Sequence, residues 1–187
     1  MGVLITIIAN DFKMIAADTL CTAGDVKVYN RSKIRVIKQT ALVSTGTEND
    51  GFRFEKWFFE QNGEEFICED NFAVLILTRD KACEAFTTGD SLKLSTIRES
   101  TAAMAIGVGS AVAAAEILMR VSKLNAHKAV AAAANYHTHC GPPIYSITKK
   151  HLEAIHADFS GYWIGTYQTP MNKLEEHLIT QKEWMKS

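Results

Sequence analysis

The chain has 187 residues, 47% of them hydrophobic and 22% charged, with a formal net charge of −1. That balance describes a globular chain, excludes intrinsic disorder, and gives no general electrostatic attraction to nucleic acid. The length suits one domain able to bury about 70% of its unfolded surface, so its core needs no disulfide staples. Its longest uncharged stretch, Ser100 to Ala115, is rich in Ala and Gly and ends at Glu116. It is too short and too weakly apolar to cross a bilayer, so no membrane association is expected. Cys21, Cys68, Cys83 and Cys140 form no C-x-x-C pair. With no signal-peptide pattern at the start, they are expected to be reduced thiols of a cytoplasmic protein. The opening Met1-Gly2 with Thr6 also fits an N-myristoylation pattern, against which stands the strand reading of the same residues.

Val3 to Ala9 is a nearly continuous apolar run, which predicts a strand covered on both faces. Asn10-Asp11 is a turn pair, and Lys13 to Ala17 predicts the returning arm of a hairpin. Ile34 to Lys38 and Ala41 to Thr45 predict a second hairpin that turns near Gln39-Thr40. Gly46 to Gly51 reads as a loop. Asp50 to Gln61 reads as a short helix with Phe54, Trp57 and Phe58 on one face, ended by Gly63. Phe72 to Thr78 and Cys83 to Thr88 predict strands around Asp80-Lys81, and Ala102 to Ile106 a further strand after a polar loop. Ser110 and Asn125 have cap chemistry for helices over Ala111 to Leu124 and Ala126 to His137, and Cys140-Gly141-Pro142-Pro143 stops the second. Ile144 to Thr148 is expected to pair with Leu152 to Ala157 across Lys149-Lys150. Met171 to Lys186 carries one more amphipathic helical stretch. Hairpins separated by groups of helices suit an α+β architecture with two sheets face to face and helices outside.

Several residues carry two readings. His137-Thr138-His139-Cys140 invites a zinc site, yet helical ligands favour i, i+4 spacing and a helix C-terminus favours His without any metal. Cys140 beside these histidines is a candidate thiol nucleophile only in a pocket that lowers its pKa. Gly107-Val108-Gly109 before a helix resembles a phosphate cradle, but no Lys follows at P-loop spacing, and a tight strand-to-helix turn accounts for it. Trp57, Phe58 and Phe59 cannot all face inward from one helix; core packing and one exposed aromatic at a subunit contact are both open.

Three segments together resemble the proteasome β-subunit and HslV-type family of N-terminal-nucleophile hydrolases. They are Ile5 to Gly24 (ITIIANDFKMIAADTLCTAG), Ser32-Lys33-Ile34 with Leu42 to Gly46 (LVSTG), and Ala105 to Ala115 (AIGVGSAVAAA) with Asn125 to Ala134. The resemblance covers roughly residues 2–150. It implies a four-layer αββα sandwich, read here as a single domain over 1–187 with a helical tail from about 171. It also implies a threonine-type peptidase whose terminal hydroxyl attacks a peptide carbonyl while its α-amine serves as base. Asp18 matches the family's acid and Lys33 its lysine; as a pair they read equally as a structural link between strands. The nucleophile position falls on Gly2, which has no side chain to attack with. Val108, His137 and Cys140 also depart from the family's supporting positions. Thr22, beside Cys21 and Ala23, and Gly46 match the edges that bind extended peptide by backbone pairing, and Ser44 and Glu48 suggest a polar first pocket.

Only about 25 residues stand where the family has two long helices, so the helical layer between Gly51 and Asn71 is expected to be shortened. No cofactor and no metal are expected. The resemblance implies a homo-oligomer, as a ring or dimer, that takes peptide or unfolded protein, with an ATPase partner left open. The alternatives are a non-catalytic proteasome-like assembly or peptide-binding protein, and a hydrolase built on Cys140.

Overall fold

The computed structural model describes residues 5–8, 14–23, 26–28, 32–60, 66–68, 72–79, 82–88, 91–96, 103–107, 109–122, 124–135, 137–155 and 162–163. Gly2, Val108 and the stretch from 171 onward lie outside them, so the expected nucleophile position, the middle of the glycine turn and the expected helical tail are not described.

The apolar opening run forms β1 (Ile5–Ile8), and its hairpin partner is β2 (Met14–Ala17), with Thr6 opposite Ala17 and Ile8 opposite Ile15. A separate two-stranded hairpin follows, β3 (Cys21–Ala23) with β4 (Val26–Val28), which the local pattern had not announced. The second predicted hairpin is present as β5 (Arg35–Ile37) and β6 (Thr40–Thr45). Its turn residues, Lys38 and Gln39, adopt φ of 46° and 62°. A primed two-residue turn demands this left-handed pair, and the Gln39 side chain helps anchor it by donating to the Ile155 carbonyl at 2.7 Å.

Next come α1 (Glu48–Glu60), β7 (Ala73–Thr78), β8 (Ala82–Thr88), β9 (Ser91–Thr96) and β10 (Met104–Gly107). Between β6 and β7, α1 is the single helix among the described residues. The polar loop expected after Thr88 contains β9, whose alternation in Ser-Leu-Lys-Leu-Ser-Thr is a strand signal. Two helices follow, α2 (Gly109–Arg120) and α3 (Ala126–Ala134). Asn125 caps α3 as expected, accepting from the Lys128 amide at 2.9 Å. Ser110 is not a cap, because α2 already starts at Gly109.

The expected hairpin over 144–157 is corrected. β11 (Tyr145–Thr148) pairs with β2, and Lys149–Ala154 is a helix, α4. Thr148 caps it, accepting from the His151 amide, and the His151 ring accepts the Thr148 amide in return. Leu152 and Ile155 are three apart, a helical spacing that buries both on one face. A short strand, β12 (Tyr162–Trp163), pairs with β5.

The strands form a four-stranded sheet in the order β10-β1-β2-β11 and a six-stranded sheet in the order β12-β5-β6-β7-β8-β9. Ile15, Ala17, Ile106 and Ile147 of the first sheet share one core with Val36, Ala41, Val43, Leu75 and Leu77 of the second. On the other face of β2 and β10, Ala16 and Ala105 pack with Ala111, Ala115 and Met119 of α2 and Ala129, Val130 and Ala133 of α3. On the other face of β6 and β7, Leu42, Val74 and Ile76 pack with Phe54 of α1 and with Phe66, Cys68 and Phe72. Every second residue thus enters a different core, as strand alternation requires. The class is mixed α and β, in line with the sequence reading.

Candidate functional site

Strand register brings the candidate residues to one end of the two facing sheets. Asp18 directly follows β2, and Lys33 stands two residues before β5. Arg35 lies opposite Leu42, so the exit of β6 toward Gly46 passes the same end. Thr6 lies opposite Ala17 and Ile5 opposite Gly107, so β1 begins at the end that carries Asp18 and Lys33.

The centre of this end is an ion pair. Lys33 Nζ donates to Asp18 Oδ1 at 2.7 Å, with both side chains almost wholly removed from solvent. Asp18 Oδ2 accepts two backbone amides, from Leu20 at 3.3 Å and from Gly141 at 3.1 Å. The Thr19 amide in turn donates to the Gly141 carbonyl at 3.2 Å. A buried carboxylate is tolerated only when its lone pairs are met, and these three donors meet them. Because Asp18 belongs to one sheet and Lys33 to the other, the pair also ties the sheets together. The neighbouring Thr19 hydroxyl is fully buried and has no hydrogen-bond partner among the described residues.

Cys140 is buried beside this pair. Burial pushes its thiol up to about 12, the Asp18 carboxylate adds to the rise, and Lys33 partly opposes it. At neutral pH the thiol keeps its proton, so Cys140 is not the activated nucleophile that one reading required. Among the described residues, no hydrogen bond joins the adjacent histidines to the Cys140 thiol. His137 Nδ1 already accepts the His139 amide at 3.2 Å, a local turn contact. Among the described residues no group of three His, Cys, Asp or Glu is placed to hold a metal ion.

Thr22 lies in the β3–β4 hairpin opposite Lys27, four residues beyond Asp18. Gly46 closes β6 with φ of 102°, a conformation that L side chains rarely adopt, and a Cβ there would stand 3.4 Å from the Phe72 backbone. The glycine is required by the backbone whatever else the loop does. Ser44 is half-buried with its hydroxyl against α1, where a Cβ on Gly51 would lie only 2.9 Å from its Oγ. Glu48 is exposed in the first turn of α1. Thr47 Oγ1 accepts the Asp50 amide at 3.2 Å and donates to the buried Asp50 carboxylate at 2.5 Å, so this loop ends in a built helix cap. Sequence reading missed Gly141: its amide reaches Asp18 across 123 positions, and nothing local marks such a contact.

No known sequence family and no curated protein matches the chain. Solved structures do. BPH from Thiobacillus denitrificans in complex with epoxomicin superposes with a TM-score of 0.58 at 20% identity, covering 78% of this chain and 97% of that one. BPH alone gives 0.57 at 21% identity over 78% and 96%. Eukaryotic HslV from Trypanosoma brucei gives 0.56 at 17% identity over 77% and 98%. The chain therefore has the proteasome-like fold of HslV-type proteins, in a divergent sequence. No helix among the described residues is long and apolar enough to cross a membrane.

Proposed function

We propose that this chain is a proteasome-like subunit of the threonine-peptidase architecture, a single four-layer αββα domain that self-assembles and lacks its nucleophile. The observation that carries the reading is the buried Asp18–Lys33 pair at 2.7 Å, set at the end of the sheets where β1 begins. In this architecture the acid and lysine organise charge behind a terminal hydroxyl that attacks a peptide carbonyl. Glycine at position 2 supplies no hydroxyl, and the protonated Cys140 does not replace it. The chain as it stands is then an assembling protein whose peptide edges, Thr22 and Gly46, hold extended peptide or unfolded protein by backbone pairing without cutting it.

The deciding experiment is Gly2→Thr with removal of Met1 verified by intact mass. Appearance of fluorogenic peptide hydrolysis supports the peptidase architecture; no hydrolysis from the correctly processed variant sinks it. Epoxomicin, which BPH binds, probes the cleft of the unaltered chain: calorimetric binding supports a retained peptide site. The non-catalytic reading is favoured by the empty side-chain position at Gly2 and predicts an oligomer. A strictly monomeric species at micromolar concentration in light scattering would count against it.

A further inference from the structure

β10 is an edge strand of the four-stranded sheet, with β1 on one side and no strand on the other among the described residues. Its residues alternate in direction. The Ala105 amide and Ala103 carbonyl meet α2 side chains, so by alternation Ile106 and Met104, opposite Thr6 and Ile8, turn their backbone groups toward β1. An outward row of unpaired amides and carbonyls is a template for another strand. Here two groups of that row are met by side chains. The Ala105 amide donates to Glu116 Oε1 at 3.1 Å, and the Ala103 carbonyl accepts from Arg120 Nη2 at 2.9 Å.

The two side chains come from one face of α2, four residues apart. One helical repeat of four advances about 6 Å, and two residues of strand advance about 6.6 Å, so the spacings match. The chemistry also matches: a carboxylate meets the donor and a guanidinium meets the acceptor, each bond strengthened by charge. The reverse assignment would leave both edge groups unmet. Ala103 and Ala105 are buried beneath this cover, whereas Arg120 is exposed.

We propose that Glu116 and Arg120 form a paired seal, a side-chain imitation of a neighbouring strand, that keeps the β10 edge from taking up a strand of a second copy of this chain. The seal stands apart from the peptidase reading and holds whether or not the site above cleaves anything. It directs self-assembly away from this edge, so oligomers form through other faces.

The test is the double variant Glu116→Ala with Arg120→Ala in the full chain, at several protein concentrations. Light scattering should show a concentration-dependent rise in mass beyond that of the unaltered protein, with native circular dichroism. Hydrogen exchange at the Ala105 amide should quicken by about tenfold or more, while the Ile106 amide, which faces β1, stays protected. Glu116→Gln keeps an acceptor oxygen on Ala105 and should retain the original mass. A double variant with unchanged mass overturns the proposal even if Ala105 exchanges faster, because the pair is then only a local contact. If the double variant does not fold, Arg120→Met, which keeps the aliphatic stem, is read in the same way, and unchanged mass again overturns the seal.

Discussion

The two helical faces of this molecule solve the same problem with opposite materials. Over the four-stranded sheet, α2 and α3 are alanine-rich: Ala111, Ala115, Ala129 and Ala133 let backbone approach backbone, and the sheet answers with Ala16 and Ala105. Over the six-stranded sheet a single described helix, α1, is backed by rings. Phe54 lies with its ring centroid 5.4 to 5.7 Å from those of Trp57, Phe58, Phe66 and Phe72. Two helices cover a sheet by close approach; one helix covers it only if its side chains are large and neighbouring segments contribute more. Aromatic volume fills the space between this helix and the sheet. Trp57, Phe58 and Phe59 are all half-buried in that filling, and the exposed aromatic of the helix is Phe52. The expectation of an exposed ring therefore falls on a different residue, because Phe58 and Phe59 pack edge to face and shield one another.

Breaking the aromatic face should have the largest effect. Phe54→Ala removes the ring on which four others converge and should cost about 3 to 5 kcal/mol in urea unfolding, since it leaves a cavity among large, mutually packed rings. A loss under about 1 kcal/mol would show that this layer is loosely packed. The alanine face should fail by the opposite cause. Ala133→Leu forces volume between α3 and the sheet and should cost about 1 to 3 kcal/mol. Stabilisation on enlargement would mean that α3 does not lie as close to the sheet as its buried alanines indicate.

The smallest effect sharpens the comparison through charge. Arg35 of β5 and Glu55 of α1 form an ion pair that pins the aromatic-face helix to its sheet. Burial raises the Glu55 carboxyl above its ordinary value, while the charge and hydrogen bond of Arg35 oppose the rise. A carboxyl whose folded pKa is raised binds its proton more tightly folded than unfolded. Its contribution to stability is therefore greatest at low pH and declines as pH rises through the window between its ordinary value and the raised one. Glu55→Gln should flatten that part of the stability profile by less than about 1 kcal/mol, measured as the difference between variant and parent from pH 4 to 7. A profile parallel to the parent's would remove Glu55 from the account.

Local pattern made the β1–β2 and β5–β6 hairpins, α1, and the Asn125 cap legible, because each is decided within a few residues by apolar period, turn chemistry or a side-chain acceptor. Asp18 and Lys33 were reached through resemblance, since nothing in either neighbourhood marks a buried charge. The element misread outright, α4, turned on whether Ile144 to Thr148 had a partner next in sequence; its partner is β2, more than a hundred residues earlier.

The amino-acid sequence by itself determined most of the alternation of strands and helices and the glycine at position 2. These are matters of residue identity and local spacing. Only the tertiary structure decided that Asp18 meets Lys33 and the Gly141 amide, that Cys140 is held protonated beside them, and that Glu116 and Arg120 cover a strand edge. Those contacts depend on which segments pack together and on how far water is excluded, and neither quantity is written in any short stretch of the chain.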